Sequence, residues 1–178
     1  MYFITERLLL AKARRGNSQA FAKLYDEYVD QIYRFILFKV SGVEVAQDLS
    51  ADTFMKAWQY LQKGAEVKSF KAFLYKVARN LIIDQYRSAS QATLPLEAVE
   101  NVEGPSLEHE IAIKADIEDL TRMLMSLKDE WREVMILRHV EGMSMKEIAR
   151  ITEKNEGAIR VLLHRAHKAL QELNSSHE

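Results

Sequence analysis

At 178 residues, 48% of them hydrophobic, the chain holds apolar material for one ordinary domain or two small ones; with no cysteine it can make neither a disulfide nor a thiolate metal site. A net charge of −1 argues against a non-specific nucleic-acid binder, and no apolar run approaches the ~18 residues of a membrane span, so no membrane insertion is expected. Apolar residues recur at three- and four-residue spacing almost throughout, which predicts an all-α protein. The missing cysteine, and the lack of a basic-then-apolar signal pattern in the first seven residues, predict a soluble, cytoplasmic one.

The first amphipathic stretch runs from about Thr5 to Arg15 and stops at Gly16. The second starts at Asn17 or Ser18 and reaches about Val40, with Phe21, Leu24, Tyr25, Tyr28, Ile32, Phe35 and Ile36 at helical spacing; Gly42 stands where a C-terminal glycine is expected. The third covers roughly Val43 to Gln62 and ends before Gly64, marked by Leu49, Phe54, Ala57, Trp58 and Leu61. Asp48 and Asp52 lie one turn apart on it, near enough to Leu49, Phe54 and Trp58 to suggest an apolar patch rimmed by acid, which suits a protein partner. The same residues read equally as a core stripe with ordinary surface acids.

The fourth stretch begins at Ser69, a helix N-cap by type, and extends to about Arg87. Phe73, Leu74, Val77, Ala78 and Leu81 are expected to face a core, with Lys76, Arg79, Asn80, Ile83 and Arg87 broadly opposite. Cations interleaved with aromatics suit single-stranded DNA, although a basic helix solvated on one face fits as well. Residues 63–88 carry six cations (Lys63, Lys68, Lys71, Lys76, Arg79, Arg87) against Glu66 and Asp84, a net +4. Residues 89–127 carry Lys114 and Arg122 against eight acids, a net −6. A basic segment followed by an acidic one suggests surfaces with different partners.

Helical pattern fails from Ser88 to Pro105, which holds both prolines, and this reads as a flexible acidic linker. It resumes from about Leu107 to Ser126, then from Asp129 to Val140 with Gly142 as its stop. Two small helical domains, 1–88 and 107–178, are therefore expected on a tether of residues 89–106. The last quarter is the most specific. Ser144-Met-Lys-Glu-Ile-Ala-Arg-Ile151 opens on a capping box of Ser144 with Glu147, and Asn155 caps a longer basic helix after a tight turn. This is a helix-turn-helix, whose second helix can enter a major groove. Ile159, Leu162 or Leu163, Ala166, Ala169 and Leu170 form its buried stripe; Arg160, His164, Arg165 and Lys168 lie on the other side, able to reach phosphates or a guanine edge.

No HExxH, glycine-rich phosphate loop or GxSxG is present, so no catalytic residue and no cofactor is assigned. His164 and His167 are three apart but lack a further ligand nearby, so no metal site is assigned either.

Taken in order, Ala46-Gln-Asp-Leu-Ser-Ala-Asp-Thr-Phe, Phe73-Leu-Tyr-Lys-Val-Ala-Arg-Asn-Leu-Ile-Ile-Asp and Glu147-Ile-Ala with His164-Arg-Ala resemble a family. The chain looks like a bacterial extracytoplasmic-function, or group IV, sigma factor over nearly its full length. The resemblance implies a promoter-specificity subunit, not an enzyme. It implies that Asp48, Leu49, Asp52, Phe54 and Trp58 bind the core RNA polymerase. Lys63, Lys68, Lys71, Lys76, Arg79, Asn80 and Arg87 would capture the unpaired minus-ten strand. Lys146, Asn155, Glu156, Arg160, Val161, His164, Arg165 and Lys168 would read minus-thirty-five duplex. Glu97, Glu100 and Glu103 of the linker would mimic nucleic acid inside polymerase, and an anti-sigma factor is the expected regulator. The chain departs from the family at Leu127-Lys128, where Leu-Pro is usual, so that helix start is expected to shift by up to a turn. Val161 and Leu162 stand where small polar or basic residues are common, and Val161 suits a thymine methyl. A stand-alone helix-turn-helix regulator and a helical protein adaptor are the alternatives.

Overall fold

Side-chain caps open several of the helices in the computed structural model, which describes the backbone of residues 2–91 and 119–175. Glu97, Glu100, Glu103 and the helix start near Leu107 lie outside the described residues. Every described element is helical, as the period of the apolar residues requires. None of the described helices is long and apolar enough to cross a membrane. The chain forms two compact units, Met1–Leu94 and Pro95–Glu178.

The first unit consists of α1 (Tyr2–Ala13), α2 (Ser18–Leu37), α3 (Val43–Gln62) and α4 (Phe70–Gln91). Asn17 Oδ1 accepts from the Ala20 N–H at 2.8 Å, satisfying one of the orphan donors that open α2. Gly42 does not end α2, as the sequence suggested. α2 stops at Leu37, and Gly42 is the N-cap residue of α3 at φ 104°, a conformation costly for any side chain. The core lies among Leu24, Ile32, Phe35 and Ile36 of α2, Leu49, Phe54, Ala57 and Leu61 of α3, and Phe70, Leu74, Tyr75, Ala78, Leu81 and Ile82 of α4. Leu10 and Ala13 of α1 close it. Rings lock the helices edge to face, with Phe35 and Tyr75 5.0 Å apart and Tyr28 and Phe70 5.8 Å apart. Tyr28 is buried close to Glu6 and Glu27, and burial together with the two carboxylates pushes its phenol well above the usual tyrosine range. α4 runs past Arg87 to Gln91, so the first residues of the expected linker are helical.

The second unit holds a helical segment α5 (119–125), α6 (Asp129–Met135), a π turn (Ile136–Val140), α7 (Met145–Thr152) and α8 (Glu156–Ser175). The single stretch expected from Asp129 to Val140 is thus two conformations. Its end widens so that the Glu141 N–H reaches the Ile136 carbonyl at 3.0 Å. Lys128, in place of the family's usual proline, takes the N-cap position of α6, with no side-chain cap hydrogen bond. Leu124, Leu127, Val134, Ile136, Leu137, Met143, Ile148, Ile151, Ile159, Leu162, Leu163 and Ala166 form the core.

Candidate nucleic-acid and polymerase interfaces

The helix-turn-helix is held by contacts that begin with local caps. Ser144 Oγ accepts from the Glu147 N–H at 3.3 Å, and the Glu147 carboxylate takes the Ser144 N–H at 2.9 Å, so both halves of the capping box form. α7 ends at Glu153, a non-glycine residue at φ 60°, and this left-handed residue turns the chain sharply. Asn155 Oδ1 then accepts from the Ala158 N–H at 2.8 Å and opens α8. Lys154, in the turn, reaches back 2.9 Å to Glu130 of α6.

Along α8, at about 100° per residue, the buried Ile159, Leu162, Leu163 and Ala166 fill one arc. Both leucines are buried, where one was expected. Arg160, Val161, His164, Arg165 and Lys168 are exposed on the opposite arc, with Val161 at 49%. Glu156 lies 3.7 Å from Arg160 and Glu172 lies 3.8 Å from Lys168, loose solvent-exposed pairs that a phosphate can displace at little cost. Lys146 is exposed on α7. Asn155 has its side-chain oxygen engaged as the cap, which leaves its amide N–H groups to donate outward.

α4 divides the basic residues of the first unit. Lys76, Asn80, Ile83 and Arg87 follow one stripe at three- and four-residue spacing, opposite the core stripe of Leu74, Ala78 and Leu81. Phe73 and Val77 were expected in the core but are half-buried at the stripe's edge; Tyr75 and Ile82 take their place inside. Phe73 instead stacks on Tyr60 of α3, ring centres 4.7 Å apart, with Tyr60 44% exposed. Lys71 lies about half a helical turn round from Asn80 and does not share its face, while Arg79 flanks it. Lys63 and Lys68 are exposed on the loop that precedes α4.

On α3, Asp48 and Asp52 are exposed and one turn apart. The apolar residues expected beside them are not. Leu49 and Phe54 are buried, with Phe54 4.7 Å from Tyr25, and Trp58 is half-buried on Phe21 at 4.8 Å. The apolar group that shares the acidic face is Met55, 57% exposed. Sequence spacing missed it because a lone methionine among polar neighbours gives no stripe.

These surfaces occur in a recognisable order. Residues 24–92 match Sigma-70 region 2, and residues 117–170 match Sigma-70, region 4. The chain is 33% identical over 170 residues to the ECF RNA polymerase sigma factor BldN of Streptomyces coelicolor, covering 93% of this chain and 64% of that protein. It is 24% identical over 173 residues to the ECF RNA polymerase sigma factor SigW of Bacillus subtilis, covering 91% of this chain and 92% of that one. Among solved structures it is similar to the sigma factor RpoE of Bartonella quintana, in complex with the anti-sigma factor NepR. The TM-score is 0.69 at 28% identity, with 87% of this chain and 96% of that one covered. The chain belongs to the extracytoplasmic-function sigma factors.

In this sigma factor the region 4 unit carries a histidine pair outside the expected DNA face. His139, in the π turn, meets His167 of α8 edge to face at 5.1 Å. Burial, then His167, then Arg138 push the His139 imidazole below its usual 6.5. Folding therefore favours the neutral ring, and its contribution to stability is complete above 6.5 and is lost as the pH falls below it. His139 as a whole residue is largely exposed, so its ring is only partly withdrawn from water and the effect is expected to be small. Urea midpoints at about pH 7.5 and about pH 5.5 should drop less in His139→Gln than in the parent; an equal drop would assign the pH response to other groups.

Proposed function

We propose that this sigma factor is a non-enzymatic subunit that directs RNA polymerase core to promoters in the cytoplasm and opens them at the minus-ten element. The observation that carries the reading is the order of three surfaces along one chain. A region 2 unit presents the acidic face of α3 and the basic stripe of α4, and a region 4 unit presents the basic arc of α8. Asp48, Asp52 and Met55 meet core polymerase. Lys63, Lys68, Lys76, Asn80 and Arg87 follow the unpaired strand, where cations track the backbone and exposed rings can stack bases. Arg160, Val161, His164, Arg165 and Lys168, with Lys146, meet the minus-thirty-five duplex, and an anti-sigma protein competes for the same chain.

A chain of net charge −1 with −6 over residues 89–127 opposes duplex binding when free. Core polymerase would hold the two basic surfaces together on one promoter, converting the second contact into an intramolecular one. Free protein and holoenzyme are compared on one promoter at one salt concentration. Holoenzyme is expected to bind at least about 100-fold more tightly. If free protein binds as tightly and as specifically, the chain is a stand-alone regulator instead.

A further inference from the structure

The loop between α3 and α4, residues 63–69, is tied at both ends by side chains from one distant helix. At its start, Arg14 Nη2 donates to the Gly64 carbonyl at 2.8 Å, and Nη1 lies 3.4 Å from Glu66 Oε1. At its end, Glu6 Oε1 accepts from the Phe70 N–H at 3.3 Å, beside Ser69, whose Oγ accepts from the Ala72 N–H. The Arg14 N–H still bonds to the Leu10 carbonyl at 2.9 Å, so the helical path of α1 continues to it. Glu6 and Arg14 are eight residues apart on the face that carries Leu10 and Ala13 into the core. At 1.5 Å per residue, α1 acts as a spacer of about 12 Å between the two ties.

Local bonds constrain the loop as well. Gly64 turns at φ 79°, with its N–H on the Leu61 carbonyl at 2.9 Å, and Ser69 caps α4. Between them Lys68 projects to solvent, while Ala65 and Val67 are half-buried. The loop's one acid, Glu66, is 85% exposed by its side chain and pairs with Arg14. A pair this exposed is worth little by itself, so the bond to the Gly64 carbonyl is the stronger half of the tie.

We propose that α1 positions the strand-capture loop: Arg14 and Glu6 clamp its two ends in the shape that accepts the unpaired minus-ten strand. The inference rests on the reading of α4 and its loop as the minus-ten surface. Neither residue touches DNA in this scheme; both act through the loop backbone. Loss of a clamp therefore raises the ordering cost of capture, and supplying DNA that is already melted does not restore affinity.

The test uses reconstituted holoenzyme on a promoter duplex and on the same promoter with a premelted minus-ten bubble. Asn80→Ala is run in parallel, together with core affinity and the thermal midpoint of each variant. Arg14→Ala is expected to bind the bubble about tenfold more weakly, the scale of one lost charge-assisted hydrogen bond. Core affinity should remain at the parent value. Arg14→Lys retains one donor and should recover part of the loss. Glu6→Ala should match Arg14→Ala, whereas Glu6→Gln retains an acceptor for the Phe70 N–H and should behave as the parent. Parent-like bubble binding by both alanine variants, with Asn80→Ala impaired, overturns the clamp and leaves the minus-ten reading standing. If Asn80→Ala is also unimpaired, the minus-ten reading fails and the clamp falls with it. A loss of core affinity equal to the loss on the bubble overturns the clamp by showing a general folding defect.

Discussion

Asp48→Arg is expected to weaken binding to core polymerase by roughly 2–5 kcal/mol, about 30-fold to several-thousand-fold, while leaving the fold intact. The side chain is exposed on α3, one turn from Asp52 and on the face that carries Met55, so reversal of its charge disturbs no packing. Its cost falls on the encounter with a basic partner, where a repulsive pair replaces an attractive one and Asp52 is left to face the partner alone. Leu49→Ala and Phe54→Ala give the contrast. Both side chains are buried, so truncation is expected to lower unfolding stability by about 2–5 kcal/mol and to affect polymerase only through the fold. Fluorescence titration of labelled variants against core polymerase, with circular dichroism as the folding check, separates the two. Parent affinity for Asp48→Arg would remove α3 from the interface.

Arg132→Ala is expected to loosen the region 4 unit by about 2–4 kcal/mol, since charge-assisted hydrogen bonds contribute about 1.5–3 kcal/mol each and do not add fully. Its Nε donates to the Leu124 carbonyl at 3.0 Å, and its Nη2 to the Met125 and Leu127 carbonyls at 3.0 and 3.1 Å. These are carbonyls at the C-terminal end of α5 and the turn after it, where a helix has acceptors without partners and a partial negative charge. One guanidinium thus joins α5 to α6, and α6 in turn packs on α8. Arg132→Lys should recover less than half of the loss, because an ammonium cannot fork across three carbonyls. Hydrogen exchange checks this within one molecule. Amides of α8 should lose protection, and amides of α1 to α4 should keep theirs. Unchanged α8 protection would show that the turn holds without the fork. Reduced minus-thirty-five binding should follow from the same change, although Arg132 is not among the residues proposed to meet DNA.

Caps, helix spans and the charge division were legible in the chain because they depend on residues three or four positions apart. Asn17, Ser69, Ser144 and Asn155 each bond to an N–H three residues on, and the α3 span expected from Val43 to Gln62 is the one observed. The α8 arcs follow for the same reason: a helix's own period places Ile159 and Ala166 opposite Arg160 and His164. Family resemblance, carried by three short motifs in order, supplied the roles that chemistry alone left open on α3 and α4.

The tertiary structure decided which apolar residues a neighbouring helix covers, and periodicity cannot supply that. A helix's own spacing puts Phe54 and Trp58 one turn apart, but Tyr25 and Phe21 of α2 meet them, and Leu49, on another side of α3, is buried, so Met55 remains as the exposed apolar group beside Asp48. Likewise Phe73 leaves the expected core because Tyr60 offers it a surface ring, and Tyr75 enters because Phe35 meets it. Gly42 reads as a helix stop by residue type, yet its φ of 104° serves the start of α3. The ties of Arg14 to Gly64 and of Glu6 to Phe70 span 50 and 64 residues. The Arg132 fork crosses a turn whose shape depends on how α6 packs. Such contacts exist only once the helices, consecutive or distant along the chain, are docked on one another. They satisfy backbone groups that local caps leave open, and no spacing rule along the chain encodes them.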